Sequence, residues 1–201
     1  MDGYYLRSVL CRYLILLILG LGSLFVFYTI FTPLTVYPIF LILDNMYGAE
    51  LLRGDVTTAC NLINNIGAPD FIKNWTCMNT TIFFKGYFAS IIPACIAGAA
   101  YYLFIILNLT TPMERKKRVY NIFFIVFSFL ILNILRILTF AIIFANKSFE
   151  IFNLAHTATW YFGSTILVAI IWFTSVWLFK INAFPIYTDV KTIISQLIKE
   201  D

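Results

Sequence analysis

Residues 119–145 read VYNIFFIVFSFLILNILRILTFAIIFA, an apolar run that contains one charged side chain, Arg136. An α-helix needs about 20 mostly apolar residues to cross the roughly 30 Å of hydrocarbon in a bilayer. The run is longer than that, so it predicts a transmembrane helix. Arg136 then lies inside the membrane, where a charged group is costly and usually functional. Asn133, three residues earlier, shares its helix face.

Three other apolar runs flank this one. Tyr87–Leu109 and Thr157–Phe179 each predict one further span. The first run, from Tyr13 to about Leu43, is too long for one upright helix and too short for two.

Two prolines in the first run, Pro33 and Pro38, suggest how it divides. Proline disfavours the helical interior, and the residue before it is pushed out of the α region. We therefore expect a span from Tyr13 to about Phe31, then a break, and a short interfacial helix over Pro33–Leu43.

Composition supports a membrane protein. The chain is 61% hydrophobic and only 12% charged, with a mean hydropathy of +0.88, whereas soluble domains carry about 25% charged residues. The net charge of +4 lies at the ends of the spans, which argues against nucleic-acid binding. The predicted fold is an all-α integral membrane bundle of about four transmembrane helices, with an interfacial helix and a small external cap. The predicted parts are an anchor (1–43), a cap (44–85), a catalytic three-helix core (86–180) and a cytoplasmic tail (181–201).

Orientation follows from the positive-inside rule. The densest basic cluster is the short loop Met113–Arg118, which predicts a cytoplasmic position. Four spans place this loop and both termini on the same, cytoplasmic side of the plasma membrane; five would put the N-terminal arginines outside. The external surface is then Asp44–Lys85, expected to hold short helices, and the loop Asn146–Ala155.

The four cysteines fall in different places in this topology. Cys60 and Cys77 both lie outside, where they are either a disulfide or two free thiols. Cys11 lies at the cytoplasmic edge of the first span, and Cys95 lies within the second span.

Three reactive residues are predicted to lie near one depth. At 1.5 Å per residue, Cys95 is about 12 Å and Arg136 about 13 Å below the outer surface. His156, the chain's single histidine, opens the last span from the same side. A cation favours the nucleophilic thiolate, a histidine can move the proton, and an arginine can hold an oxyanion. Each residue alone also has a structural interpretation, as an inert thiol, a packing arginine or an interfacial histidine.

Other chemistries fit less well. The spans contain no Asp or Glu, and one histidine with scattered cysteines cannot build a catalytic zinc site. Ser164 lies eight residues beyond His156, about 12 Å along the helix, too far for a dyad. We expect no metal and no cofactor, and we expect Asn133, Gly98 and Trp160 to support the site or contact substrate.

The order of these residues resembles the archaeosortase/exosortase family. Members have a Cys in one span, Asn-x-x-Arg in the next and a His opening a third, matched here by Cys95, Asn133 with Arg136, and His156. The resemblance covers about half of the chain, from Tyr87 to Phe179. Many members follow the Cys with a small hydroxyl residue and then Gly, whereas this chain has Ile96-Ala97-Gly98.

The resemblance implies a membrane-embedded cysteine transpeptidase. Its partners would be secreted proteins with a C-terminal sorting signal, made of a short motif, a transmembrane helix and a basic end. It would form an acyl-enzyme on Cys95 at the outer membrane face, and an amine, expected to be a lipid headgroup, or water would resolve it. The alternative is a non-catalytic four-helix scaffold or small transporter in which Arg136 binds an anionic lipid or solute.

Overall fold

The computed structural model describes Leu14 and residues 25–52, 80–111 and 113–181. Within these residues the chain is mostly helical, with one small antiparallel sheet. In chain order the elements are α1 (Phe25–Tyr47), β1 (Glu50–Leu52), β2 (Thr81–Phe84), β3 (Tyr87–Ser90), α2 (Pro93–Ile96), α3 (Gly98–Thr110), α4 (Arg115–Asn146), α5 (Phe149–Ala158), a π-helical turn (Thr159–Gly163) and α6 (Ser164–Leu178).

Four helical segments in the described part are long and apolar enough to cross a membrane. They are Val26–Tyr47, Pro93–Thr110, Arg115–Asn146 and Phe149–Leu178. All four overlap the apolar runs of the sequence. The prediction of about four such helices is confirmed for these residues.

The first span differs from the prediction. α1 runs without interruption through Pro33 and Pro38 to Tyr47, so the expected break after Phe31 and the separate interfacial helix over Pro33–Leu43 are wrong. Each proline removes one helical donor, a cost that membrane helices tolerate where neighbouring groups or a local adjustment of the backbone satisfy the freed carbonyl. The part of the predicted anchor before Phe25, Leu14 apart, lies outside the described residues.

The cap also differs. Its described part forms strands where short helices were expected, so the chain is not purely α. The sheet has the order β1-β2-β3, with both pairs antiparallel. β3 takes up Tyr87–Ser90, so the second span begins at Pro93 rather than at Tyr87. β-branched and aromatic residues in β2, and a two-residue turn with positive φ at Lys85 (51°) and Gly86 (81°), favour a type I′ hairpin.

The bundle has two chemically different ends. At one, which we name the sheet end, Lys85 Nζ donates to Asn146 Oδ1 (2.7 Å) and Asn146 Nδ2 donates to the Tyr47 hydroxyl (3.0 Å). At the other, which we name the basic end, Lys117 Nζ donates to the Lys180 carbonyl (3.2 Å). The C-terminus of α6 and the basic loop therefore lie together, opposite the hairpin.

Aromatic packing joins the first three spans. Tyr101 is fully buried, stacked on Phe31 at 3.6 Å and edge-on to Phe129 at 4.9 Å between ring centroids. A close approach between α1 and α3 accompanies this cluster, because a Cβ added to Gly98 would lie 2.9 Å from the Tyr28 ring. The small residue is thus required by the packing of the site-bearing span.

Candidate functional site

Cys95, Arg136 and His156 line one cavity of about 280 Å³. The cavity lies between β3, the start of the second span, α4 and the segment from α5 into the π-helical turn. Its walls are largely apolar, with five phenylalanine and tryptophan side chains, and Arg136 is the one arginine or lysine among the described residues that line it. The three residues singled out from sequence therefore meet at a single site although they come from three different spans.

The backbone at Cys95 is set by a break in the second span. α2 lasts only from Pro93 to Ile96, and Ala97 adopts a left-handed conformation with φ 56° and ψ 44°. A residue with a Cβ is uncommon there and is strained by about 1–3 kcal/mol. The break interrupts the i to i−4 ladder, so the carbonyls of Cys95 and Ile96 need other donors.

Asn133 and Arg136 supply those donors. Asn133 Nδ2 donates to the carbonyl oxygen of Cys95 at 2.9 Å and to that of Ile96 at 3.5 Å. Arg136 Nη2 donates to the same Cys95 carbonyl at 3.3 Å. The Asn-x-x-Arg pattern on α4 thus holds the backbone that carries the cysteine.

Arg136 has a second partner that sequence reasoning missed. Its Nη1 donates to Ser164 Oγ at 2.6 Å. A guanidinium has five N–H donors, and two are engaged by Ser164 and Cys95, so the others have no acceptor among the described residues. The sequence signal that could have pointed to Ser164 is general: an arginine inside the membrane with no carboxylate nearby needs neutral hydrogen-bond acceptors, and a serine hydroxyl is one.

His156 is held by aromatic rings. It stacks on Phe152 at 5.4 Å, meets Phe140 edge-on at 5.5 Å and lies 6.4 Å from Trp160, measured between ring centroids. In the part of the chain that the structure describes, the imidazole makes no hydrogen bond, and Cys95 and His156 are not bonded to each other. Both nitrogens are therefore available for a molecule that enters the cavity.

The π-helical turn explains how His156 and Ser164 serve the same site. In an unbroken α-helix, eight residues at about 100° each would leave the two side chains about 80° apart. Because the wide π-helical turn takes up one extra residue, the two side chains instead point within about 20° of each other around the helix axis. A Cβ on Gly163 would lie 2.8 Å from Thr159 Cγ2, so glycine allows this wide turn to close. Turns of this kind recur at functional sites.

The other predicted residues have different outcomes. Trp160 lines the cavity and is half-exposed, Gly98 is buried against α1, and Asn133 is fully buried below the cavity. Cys60 and Cys77, the disulfide candidates, lie outside the described residues. Cys95 is a free thiol and is partly exposed.

No family model, curated protein or solved structure matches this chain. Among the described residues, no three His, Cys, Asp or Glu side chains lie close enough to hold a metal ion.

Proposed function

We propose that the chain is a membrane-embedded cysteine transpeptidase that processes secreted proteins at a C-terminal sorting signal. The observation that carries this proposal is the convergence of Cys95, Arg136 and His156 on one cavity. The resemblance to the archaeosortase/exosortase family, which rests on the same residues, supports the same reaction class.

The chemistry is acyl transfer in two halves. The Cys95 thiolate attacks the scissile carbonyl carbon and forms a C–S bond. The C–N bond then breaks, and His156 as imidazolium donates a proton to the departing amine. In the second half an amine acceptor attacks the thioester, His156 takes the proton that the attacking nitrogen loses, and the C–S bond then breaks to restore the Cys95 thiolate beside the imidazolium. Electrons and protons balance without a cofactor.

Arg136 has two roles in this scheme. Its bond to the Cys95 carbonyl positions the nucleophile, and its unengaged N–H groups can hold the oxyanion of the tetrahedral intermediate. Asn133, being buried and directed at the backbone, is a positioning residue.

The sheet end is proposed to face outward. α4 has 32 residues, about 48 Å at 1.5 Å per residue, whereas the hydrocarbon is about 30 Å thick. Open strand edges are not tolerated against lipid hydrocarbon. β3 lines the same cavity as Arg136, which supports a site at the outer interface rather than at the bilayer centre. The basic loop then lies on the cytoplasmic side.

An anion-binding scaffold is the competing function, because Arg136 has unengaged donors in the cavity. It differs in one requirement: a scaffold that binds through Arg136 does not need the Cys95 thiol. Arg136→Ala harms both functions and does not separate them.

A library of secreted reporters tests the proposal. Each reporter ends in six randomised residues, an apolar helix of about 20 residues and a Lys/Arg-rich end, and is co-expressed with wild type or Cys95→Ala. We expect reporters that lose the helix only with wild type, and mass spectrometry of their new C-termini identifies the acceptor. Thr159→Ala, which changes another polar residue of the cavity, is the matched control and should retain processing. Equal processing with wild type and Cys95→Ala, or no processed reporter in the library, would refute the proposal.

A further inference from the structure

Among the described residues, β3 is an edge strand of the sheet. It pairs with β2 on one side and with no strand on the other in the described part of the chain. Edge strands invite pairing with another extended chain, and proteins usually block them with charges, prolines, bulges or a covering element. β3 reads Tyr-Phe-Ala-Ser, and Phe88 is 67% exposed. None of the usual blocking residues is present in this strand.

The hairpin register shows which backbone groups face the open edge. A two-residue turn makes Phe84 and Tyr87 a hydrogen-bonded pair, and such pairs alternate along an antiparallel ladder. Ala89 therefore bonds toward β2, and Ile91 N–H donates to the Thr80 carbonyl at 2.8 Å. The N–H and C=O groups of the residues between them, Phe88 and Ser90, point away from β2.

These groups lie beside the proposed nucleophile. Phe88 and Ser90 line the cavity with Cys95, and their backbone groups have no partner among the described residues. These two donors and two acceptors, at alternate residues, match the backbone groups that an extended peptide exposes. A helical peptide uses those groups in its own hydrogen bonds. The aromatic walls of the cavity would accept apolar side chains at every second position.

We propose that Phe88–Ser90 binds the substrate by adding its motif to the sheet as a fourth strand, which delivers the scissile peptide bond to Cys95. This inference rests on the proposed function. It also gives a direction: β3 runs from the turn at the sheet end toward Cys95. A secreted protein followed by its transmembrane helix runs the same way, so the added strand is parallel to β3.

A substrate-side experiment tests this with the wild-type, full-length protein. The probe is a synthetic peptide carrying the selected reporter motif and its apolar helix, presented in lipid vesicles with the purified protein. Each motif amide is N-methylated in turn. We expect processing to fall at least tenfold at alternate positions and to change less than threefold at the positions between.

A protein-side pair provides the matched control. Ser90→Pro removes an N–H that points away from β2, so the ladder bonds are retained and proline is tolerated at this edge. Thr81→Ala on β2, outside the binding strand, removes the hydroxyl that donates to Ser90 Oγ at 3.2 Å, so it breaks the same side-chain bond and leaves the Ser90 N–H in place. We expect Ser90→Pro to raise the reporter KM at least fivefold with kcat within twofold, and Thr81→Ala to leave both within twofold.

Photocrosslinking tests the direction. A p-benzoylphenylalanine at Phe88 should label the motif farther from the transmembrane helix than one at Ile92, which is also exposed. The reverse order would overturn the parallel orientation. If Cys95-dependent processing persists but N-methylation has no two-residue period, strand addition is wrong and the proposed function stands. If wild type does not process the unmethylated peptide, the proposed function fails, and this inference fails with it.

Discussion

Asn133 offers the sharpest test of the site's architecture. It is fully buried, and its amide is the donor that serves both carbonyls released by the helix break, at 2.9 Å and 3.5 Å. Replacing it by alanine leaves the Ile96 carbonyl without a side-chain donor and the Cys95 carbonyl with only the 3.3 Å bond from Arg136. An orphaned buried polar group costs about 1–3 kcal/mol and a lost hydrogen bond about 1 kcal/mol.

Asn108 is the matched control. It is also fully buried in a spanning helix, but neither its Nδ2 nor its Oδ1 has a partner among the described residues. Alanine deletes the same atoms at both sites, so the loss of packing should cost a similar free energy in each variant. The difference in unfolding free energy between the two variants then measures the hydrogen bonds of Asn133. Asn133 Oδ1 is itself unpaired, which offsets part of the loss. We expect Asn133→Ala to be less stable than Asn108→Ala by about 2 kcal/mol.

Equilibrium unfolding of the purified chain in mixed micelles, followed by tryptophan fluorescence, measures both variants. A 2 kcal/mol difference corresponds to about 4–8 °C in Tm for a chain of this size. Asn133→Ala should also slow reporter processing, since the backbone of the nucleophile loses its support, whereas Asn108→Ala should not. If the two variants are equally stable, the claim that Asn133 holds the helix break is refuted.

Three further outcomes follow from the same region. Arg136→Lys should fold but process reporter about 10²–10³-fold more slowly, because a compact ammonium lacks the planar fork that reaches Ser164, the Cys95 carbonyl and an oxyanion at once; near-wild-type kinetics would contradict this. Ala97→Gly should raise the free energy of unfolding by about 1 kcal/mol by relieving its left-handed strain, while Ala99→Gly in the exposed helical face should lower it by about 0.5–1 kcal/mol. Gly98→Val should destabilise by about 1–3 kcal/mol through its clash with Tyr28, with Ala99→Val as the neutral comparison in the same unfolding assay.

Some of the site could be predicted because its residues are chemically isolated. An arginine and an asparagine three residues apart in an apolar run, one cysteine within a span and one histidine at a span edge stand out without any structure. Their common depth follows from helix rise alone. Ser164 could not be found this way, because its partnership with Arg136 depends on the π-helical turn, which adds a residue without leaving a distinct sequence pattern.

The errors have a physical explanation too. Pro33 and Pro38 predict a helix break, but each removes a single backbone donor, and α1 continues through both. Tyr87–Ser90 were assigned to a span because an apolar strand and the start of an apolar helix look alike over four residues. Only the turn at Lys85-Gly86 distinguishes them, through backbone angles that lysine rarely adopts.

Four apolar segments, the basic loop beside one of them and the residues able to do chemistry in an apolar setting can all be identified from the sequence. These properties depend on composition and on distance along a helix, both of which are local. Only the packed bundle shows that the second span breaks at Ala97 and that Asn133 and Arg136 support the Cys95 carbonyl. It also shows that, among the described residues, an edge strand without a second partner lines the cavity with the thiol. Those features depend on which buried backbone groups find partners across the bundle, and partners distant in sequence are chosen by packing rather than by local pattern.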